Sequence, residues 1–177
     1  RCTGRTYCLA SGQDPPLRGP RRAVDTLLAS PAVFRYDLIG GETSKPAGQE
    51  AFNPRLLASF RDEMQHGQVS AWFWGHEHNL EIYEPYGPLV KGRCLGHGAI
   101  PVFTQQDPYS VAAGIPNPPR LICDPKTGEE VRLETDDEGV YAHGYAILDL
   151  DDDRCRAAAS YYVETDATTP IYREALE

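Results

Sequence analysis

A helix followed at once by a buried strand is the feature of this sequence that most constrains its fold. In "FNPRLLASFRDEMQHG", Asn53 is a favourable N-cap residue and Pro54 occupies the first helical position. Leucine, phenylalanine and methionine side chains then share one face, and Gly67 is placed to end the helix. The next segment, Val69–Trp74, is apolar at both alternate sets of positions, which predicts a strand buried on both faces. A helix joined to such a strand is typical of a sheet flanked by helices.

The rest of the chain contains no internal repeat and has several further strand patterns. The proline-rich stretch Pro101–Pro125 is expected to be a long surface excursion, and the acidic run Asp149–Asp153 a hairpin turn. Apolar and β-branched runs predict strands at Leu80–Tyr83, Leu89–Leu95, Val131–Glu134, Tyr141–Leu150 and Arg156–Val163.

Composition and charge narrow the class of protein. The chain has 177 residues, of which 41% are hydrophobic, so it is long and apolar enough to bury one globular core. Its net charge of −9 disfavours nucleic acid and anionic membranes as partners. No apolar run reaches the roughly 18 residues of a membrane span. Five scattered cysteines without CxxC pairs indicate reduced thiols rather than a zinc–thiolate site. We therefore expect a cytoplasmic protein, and the sequence predicts no particular oligomeric state.

The net charge hides a break near residue 35. Residues 1–35 contain six arginines and two aspartates, a net charge of +4, whereas residues 36–177 carry 11 basic and 24 acidic residues, a net charge of −13. The first stretch is rich in arginine, proline and glycine and shows no sustained strand or helix period. We therefore predict an irregular leader over residues 1–35 and a partial folded domain over residues 36–177.

Two histidines, His76 and His78, stand one residue apart directly after the predicted Val69–Trp74 strand. On a helix their side chains would diverge by about 200°, but in extended or loop backbone they project to the same side. Gly75 allows a sharp turn at the strand's end, where α/β sheets place their chemistry. The spacing excludes the zincin motif, which needs histidines at i and i+4. The pair therefore fits ligands of one metal ion or of two neighbouring ions.

The flanking sequence gives this pair a family context. "WFWGHEHN", followed about 20 residues later by "GRCLGHGAIPV", resembles the C-terminal half of calcineurin-like metallophosphoesterases of bacterial type. The segments "YAHGYAILDL", "CRAAASYYVET" and "IYREAL" are similar to the late hairpin and the terminus of that family. The resemblance covers residues 52–177 and implies an α/β fold: the C-terminal half of a four-layer α/β/β/α sandwich, incomplete in this chain. It also implies that His76 binds one metal ion and His78 the other.

In that family, two divalent metal ions, of Mn, Fe or Zn, clamp a phosphomonoester or phosphodiester while a metal-bound hydroxide attacks it. The remaining ligands come from an Asp-x-His, a Gly-Asp, an Asn-His and a further His, all of which precede the Gly-His-x-His loop. This chain has no Asp-x-His upstream of His76, no Gly-Asn-His, and no histidine before His66. We therefore expect it to bind metal weakly and to be inactive alone. The alternative is a non-catalytic remnant or interaction domain that has lost the metal centre.

Three other residues near these motifs are candidates for a structural rather than a functional role. His97, in "GHGAIP", either acts from a second shell around the metals or on the substrate, or is a structural histidine bonded to backbone. His143, on a predicted strand, is expected to be structural. Glu77 could hydrogen-bond an imidazole, although a solvated loop carboxylate is the simpler expectation.

Back-translation offers an explanation for the leader. The family resemblance implies a Ser-His-His-Gln sequence and then Phe-Ser-Ala a little before the helix, where this chain has "LASPAVFRY". Leu28 to Tyr36 can be encoded as CTC GCA TCA CCA GCC GTT TTC CGC TAY. Read one base later, these nucleotides give TCG CAT CAC CAG CCG TTT TCC GCT, which encodes Ser-His-His-Gln-Pro-Phe-Ser-Ala. We therefore hypothesise that residues 1 to about 35 are an out-of-frame translation and that the native frame resumes near Tyr36.

Overall fold

The computed structural model describes residues 27–29, 54–66, 69–75, 77–110, 117–151 and 156–176, with backbone alone at residues 27–29 and 54–57. These residues form a mostly β, loosely mixed α/β structure with one α-helix and a short 3₁₀-helix at Thr104–Gln106. The helix α1 is Pro54–Gln65. The strands are β1 Leu27–Ala29, β2 Ala71–Trp74, β3 Leu80–Ile82, β4 Gly92–Leu95, β5 Gly144–Asp151, β6 Arg156–Val163 and β7 Tyr172–Ala175.

Helix α1 begins at Pro54, as predicted, while Asn53 and Gly67 lie outside the described residues. Its buried face includes Met64, which is 3% exposed. Phe60 departs from helical geometry, with φ −120° and ψ 17°, and bends the helix. The Phe60 ring meets the ring of Trp72 edge-on, with centroids 5.1 Å apart, so the helix packs on strand β2. No helix among the described residues has the length and apolar character that a membrane crossing requires.

The first sheet has the strand order β1-β2-β4-β3. Strands β1, β2 and β4 are parallel, and β3 runs antiparallel to β4. All four residues of β2 are buried, which confirms the prediction of a strand covered on both faces. Strand β1 falls inside the segment predicted to be irregular, and its residue Ala29 is in register with Phe73. The rest of residues 1–35 lies outside the described residues.

The second sheet is antiparallel, with the order β5-β6-β7. Strands β5 and β6 pair over their full length, from Gly144 opposite Val163 to Asp151 opposite Arg156. Alternate residues of β6 are buried and pack in the core: Ala157, Ala159, Tyr161 and Val163. The period-2 pattern that predicted Arg156–Val163 as a strand therefore reflects one face turned to the core.

Both sheets contribute to one hydrophobic cluster. Strands β2 and β3 supply Ala71, Phe73, Leu80 and Ile82, and the buried face of β6 packs among them. A polar link crosses the same region, because the Arg93 guanidinium of β4 binds the Glu174 carboxylate of β7 through two hydrogen bonds of 2.6 Å. The two sheets are therefore joined by apolar packing and by a buried ion pair.

Several strand predictions need correction. Val131–Glu134 is not a strand. The Val131 N–H donates to the Ile122 carbonyl at 3.0 Å, but the described residues 121–141 form only isolated β-bridges and no continuous ladder. Strand β4 starts at Gly92 rather than Leu89, because Leu89 and Tyr86 close a turn with paired backbone hydrogen bonds of 3.0 and 3.1 Å. The acidic run does not begin as a turn, because β5 continues through Asp151. Strand β7 was not predicted.

Candidate functional site

The carboxyl ends of the three parallel strands meet at one edge of the first sheet. Loop 75–79 follows β2 there, and loop 96–99 follows β4. The two loops pack backbone to backbone: a Cβ atom added to Gly96 would overlap the carbonyl oxygen of Glu77, and one added to Gly75 would lie 3.5 Å from the Cα of Gly96. Only glycine fits at position 96. The candidate site is therefore built on two loops in fixed contact.

His78 lies in loop 75–79, as the spacing predicted, and is half-buried. Its Nδ1 atom is buried and accepts or donates no hydrogen bond within the described part of the chain. A buried polar atom without a partner is costly unless a ligand or solvent satisfies it, which makes this nitrogen the best candidate metal ligand of the loop. His76 lies outside the described residues, so the geometry of the pair stays a prediction.

His97 stands at the head of loop 96–99 and is only 1% exposed. Its carbonyl oxygen accepts a 3.1 Å hydrogen bond from the Gly144 N–H, and a Cβ at Gly144 would come within 2.8 Å of the imidazole Cδ2. Neither ring nitrogen has a hydrogen-bond partner among the described residues. His97 therefore fixes the loop edge of the first sheet to the start of β5. Its burial argues against contact with a substrate, while its ring nitrogens leave the second-shell and structural interpretations both open.

The environment of His97 sets the charge of its imidazole. Burial lowers its pKa, nearby carbonyls of Tyr162 and Leu95 oppose that effect, and the neighbouring His143 lowers the pKa further. Two backbone hydrogen bonds hold His143 in place. Its N–H donates to Oε1 of Glu164 at 3.1 Å, and its carbonyl accepts from the Glu164 N–H at 2.8 Å. The imidazole of His97 is therefore kept neutral in the folded protein at pH values where a solvated histidine is protonated.

We expect acid to destabilise the fold through His97. Because its pKa is lowered on folding, the unfolded chain binds the proton more strongly, and stability falls as pH drops below the ordinary histidine value of about 6.5. Urea unfolding at pH 5 to 8 should show a steeper acid loss for the wild type than for His97→Phe, an apolar ring of similar size. A matched control is His66→Phe, at an exposed position. Equal pH profiles for wild type and His97→Phe would contradict the prediction.

A second group of polar side chains is buried beneath the loops. Glu77 is 4% exposed, so the expectation of a solvated loop carboxylate is wrong, because the close contact of the two loops encloses it. The Cys94 thiol donates to the Glu77 carbonyl at 3.2 Å and lies 3.7 Å from Oδ1 of Asn79. Burial raises the pKa of Cys94 well above its usual value, and the carboxylates of Glu81 and Glu77 add to the rise. This thiol is therefore a structural donor rather than a nucleophile.

Glu81 is a buried carboxyl group of this cluster with a strongly raised pKa. Its Oε1 accepts from Asn79 Nδ2 at 3.0 Å and its Oε2 from the Tyr83 hydroxyl at 2.6 Å. Burial nevertheless raises its pKa to about 7, with Glu77 adding to the rise against those two hydrogen bonds. Sequence reasoning did not select Asn79 or Glu81, although residues 77, 79, 81 and 83 of "EHNLEIY" alternate as polar groups that share one side of an extended chain.

A cavity of about 110 Å³ lies beside Glu81, on the side of the proline-rich excursion. Its walls include Tyr83, Tyr109 and Arg120. The Arg132 guanidinium stacks over the Tyr109 ring at 5.0 Å. Neither His78 nor His97 lines this cavity, so it is separate from the histidine loops.

The described residues do not by themselves fit a binuclear metal centre. Within residues 54–176, apart from the undescribed gaps, no three His, Cys, Asp or Glu side chains come together in a group that could hold a metal ion. His78 offers one free ring nitrogen, and His76 would have to supply the second ligand. Compared with known proteins, the chain matches no family model and no curated protein.

Proposed function

We propose that this chain is the C-terminal portion of a calcineurin-like metallophosphoesterase domain of the α/β/β/α type, and that it is inactive alone. The observation that carries the proposal is the place of His78. Its buried Nδ1, which has no hydrogen-bond partner among the described residues, lies in the loop after a parallel strand, at the carboxyl edge where α/β sheets hold their ligands. The complete domain would hydrolyse a phosphomonoester or phosphodiester, which in this class of enzyme requires two divalent metal ions.

The position of β1 bears on the frame hypothesis in two ways: a paired strand at Leu27–Ala29 departs from the irregular leader that the hypothesis predicts, but its direction sets where a shifted reading would place its histidines. Strand β1 is parallel to β2, and Ala29, its last residue, is in register with Phe73. The carboxyl end of β1 therefore lies at the same sheet edge as loop 75–79. The shifted reading places Ser-His-His-Gln directly after Leu28, so its histidines would follow β1 at that edge. These two histidines would add a third and a fourth imidazole ligand to His76 and His78, which alone are too few for a binuclear metal centre.

The test compares the chain as it stands with a restored version, in which residues 29–36 are replaced by Ser-His-His-Gln-Pro-Phe-Ser-Ala. The chain as it stands should show negligible hydrolysis of p-nitrophenyl phosphate or of its bis ester with excess manganese. Calorimetric titration with Mn²⁺ and Zn²⁺ should show at least ~10-fold tighter binding to the restored version, the change that loss of even one supporting residue causes at metal sites. His78→Ala in the restored version should remove the gain.

The control is the restored sequence with both new histidines replaced by asparagine, which keeps length and polarity. Hydrolysis by the original chain that falls on His78→Ala would contradict the inactivity. No gain in affinity on restoration would favour the alternative of a remnant or interaction domain without a metal centre. The gene decides the frame itself: codons for residues 29–35 that are incompatible with the shifted reading would end that hypothesis.

A further inference from the structure

Strand β5 is an edge strand of the second sheet, and beyond Gly144 no described strand pairs with its outer side. The Gly144 N–H points away from β6 and donates to the His97 carbonyl. Successive residues of a strand direct their backbone groups to opposite sides, so Ala146, Leu148 and Leu150 also turn their N–H and carbonyl groups away from β6. Within the part of the chain that the structure describes, no residue bonds to the backbone groups of these three.

The side chains of this edge are apolar and exposed. Leu148 and Leu150 stand opposite Ala159 and Ala157 of β6, on the face that is buried in the core, yet they are 38% and 42% exposed. On the other face Tyr145 and Ile147 are 44% and 43% exposed. Natural edge strands use charged residues, prolines or β-bulges to prevent pairing with other strands. Residues 144–148 carry none of these devices, so β5 has the character of a strand that pairs.

We propose that β5 is a dimerisation edge, through which two copies of this chain pair antiparallel about a two-fold axis at Leu148. In this register each Leu148 faces its own copy, and Ala146 faces Leu150 of the second copy. All three outward N–H groups of each chain then gain carbonyl partners. Two three-stranded sheets become one continuous sheet, and the half-covered leucines of its core face bury one another.

The distribution of charge on β5 selects this occupant and this direction. Its acids, Asp149 and Asp151, lie at one end, and its first half is uncharged. In the antiparallel register Asp149 stands opposite Ile147 of the second copy, and Asp151 opposite Tyr145. Parallel pairing would set each aspartate beside its own copy, where like charges repel. The strand is therefore complementary to itself in the antiparallel direction alone.

Light scattering after size-exclusion chromatography tests the proposal on the full chain. At ~100 µM the wild type should have about twice the monomer mass of 19.6 kDa, falling toward the monomer on dilution. Leu148→Lys sets two ammonium groups at the two-fold axis and should give a monomer. The control is Val90→Lys, at an apolar site in the turn before β4 that is 46% exposed, and it should remain a dimer.

Hydrogen exchange gives a readout that does not depend on a variant. In the wild type the amides of Ala146, Leu148 and Leu150 should be protected at high concentration and exchange faster on dilution. The amides of Tyr145 and Ile147, which face β6, should be protected at both concentrations. A wild type that is monomeric at ~100 µM overturns the proposal, whether its β5 amides are open or covered by another part of the same chain. Larger aggregates, or a dimer that persists in folded Leu148→Lys, overturn it as well.

Discussion

Replacing Arg93 with methionine should lower the free energy of unfolding by about 3–5 kcal/mol, the cost of leaving a buried carboxylate without its partner. The Arg93 and Glu174 side chains are 4% and 9% exposed and make two hydrogen bonds of 2.6 Å. Arg93 Nη1 also donates to the carbonyls of Tyr83 and Gly92, at 2.8 and 2.7 Å. Methionine keeps much of the volume but supplies none of these donors. Urea unfolding at pH 7 measures the loss.

The Tyr161 hydroxyl also bonds to Glu174, which allows a double-variant test of the ion pair. It donates to Oε1 of Glu174 at 2.6 Å, and burial raises its pKa, so it remains a donor throughout the useful pH range. Glu174→Gln keeps an acceptor for Tyr161 while removing the charge. The double variant Arg93→Met with Glu174→Gln should therefore be more stable than Arg93→Met alone, and its loss should be smaller than the sum of the two single losses by a coupling energy of about 0.5–3 kcal/mol. Strict additivity of the two losses would contradict the ion-pair interpretation.

The exposed pair Arg132 and Glu130 supplies a matched control. These side chains also form an ion pair, but they are 48% and 41% exposed. Solvent screens such a pair, and its net contribution is about 1 kcal/mol or less. Arg132→Met should therefore cost much less than Arg93→Met. Similar losses for both variants would mean that burial does not govern the Arg93 effect.

The sequence predicted best those strands whose pattern of apolar residues depends only on which of their faces is buried. Strand β2 lies within Val69–Trp74, and β6 has the predicted bounds Arg156–Val163, because each pattern reports directly which faces are covered. The strand prediction for Val131–Glu134 was wrong because its apolar residues pack in the shared core, but no neighbouring strand among the described residues forms a ladder with them. Strand β7 was missed because half of Tyr172–Ala175 is charged, and Glu174 is drawn inward by an arginine from the other sheet.

The candidate site divides in the same way. The local pattern Gly-His-x-His predicted that His78 lies in a loop after a strand, since one short segment determines that outcome. The burial of Glu77 and Glu81 depends on the register that sets Glu81 opposite Cys94, and on the contact of loop 75–79 with Gly96. No period within one segment encodes contacts between residues that lie so far apart along the chain, such as Arg93 and Glu174.

The Glu81 carboxyl should make stability fall as pH rises. Burial raises its pKa from the ordinary 4.5 to about 7 in the folded protein. The folded state therefore holds a proton that the unfolded chain has released, and its contribution is full below pH 4.5 and lost as pH rises through about 7. A shift of this size corresponds to roughly 3 kcal/mol. The effect is opposite in sign to that of His97, so the two must be separated by variants.

Glu81→Gln isolates this contribution, because glutamine is uncharged at every pH and nearly the same shape. Its carbonyl can still accept from Asn79, and the Tyr83 hydroxyl can accept from its amide in place of donating. At pH 8 the variant should be more stable than the wild type by on the order of 2–3 kcal/mol, and at pH 4 the two should nearly coincide. Glu84→Gln, at an exposed position, should change stability by less than about 0.5 kcal/mol at either pH. A Glu81→Gln difference that stays constant from pH 4 to pH 8 would show that folding does not shift the pKa of Glu81 and that the carboxyl is ionised in the folded protein at pH 7. The buried cluster would then need a cation that the described residues do not supply.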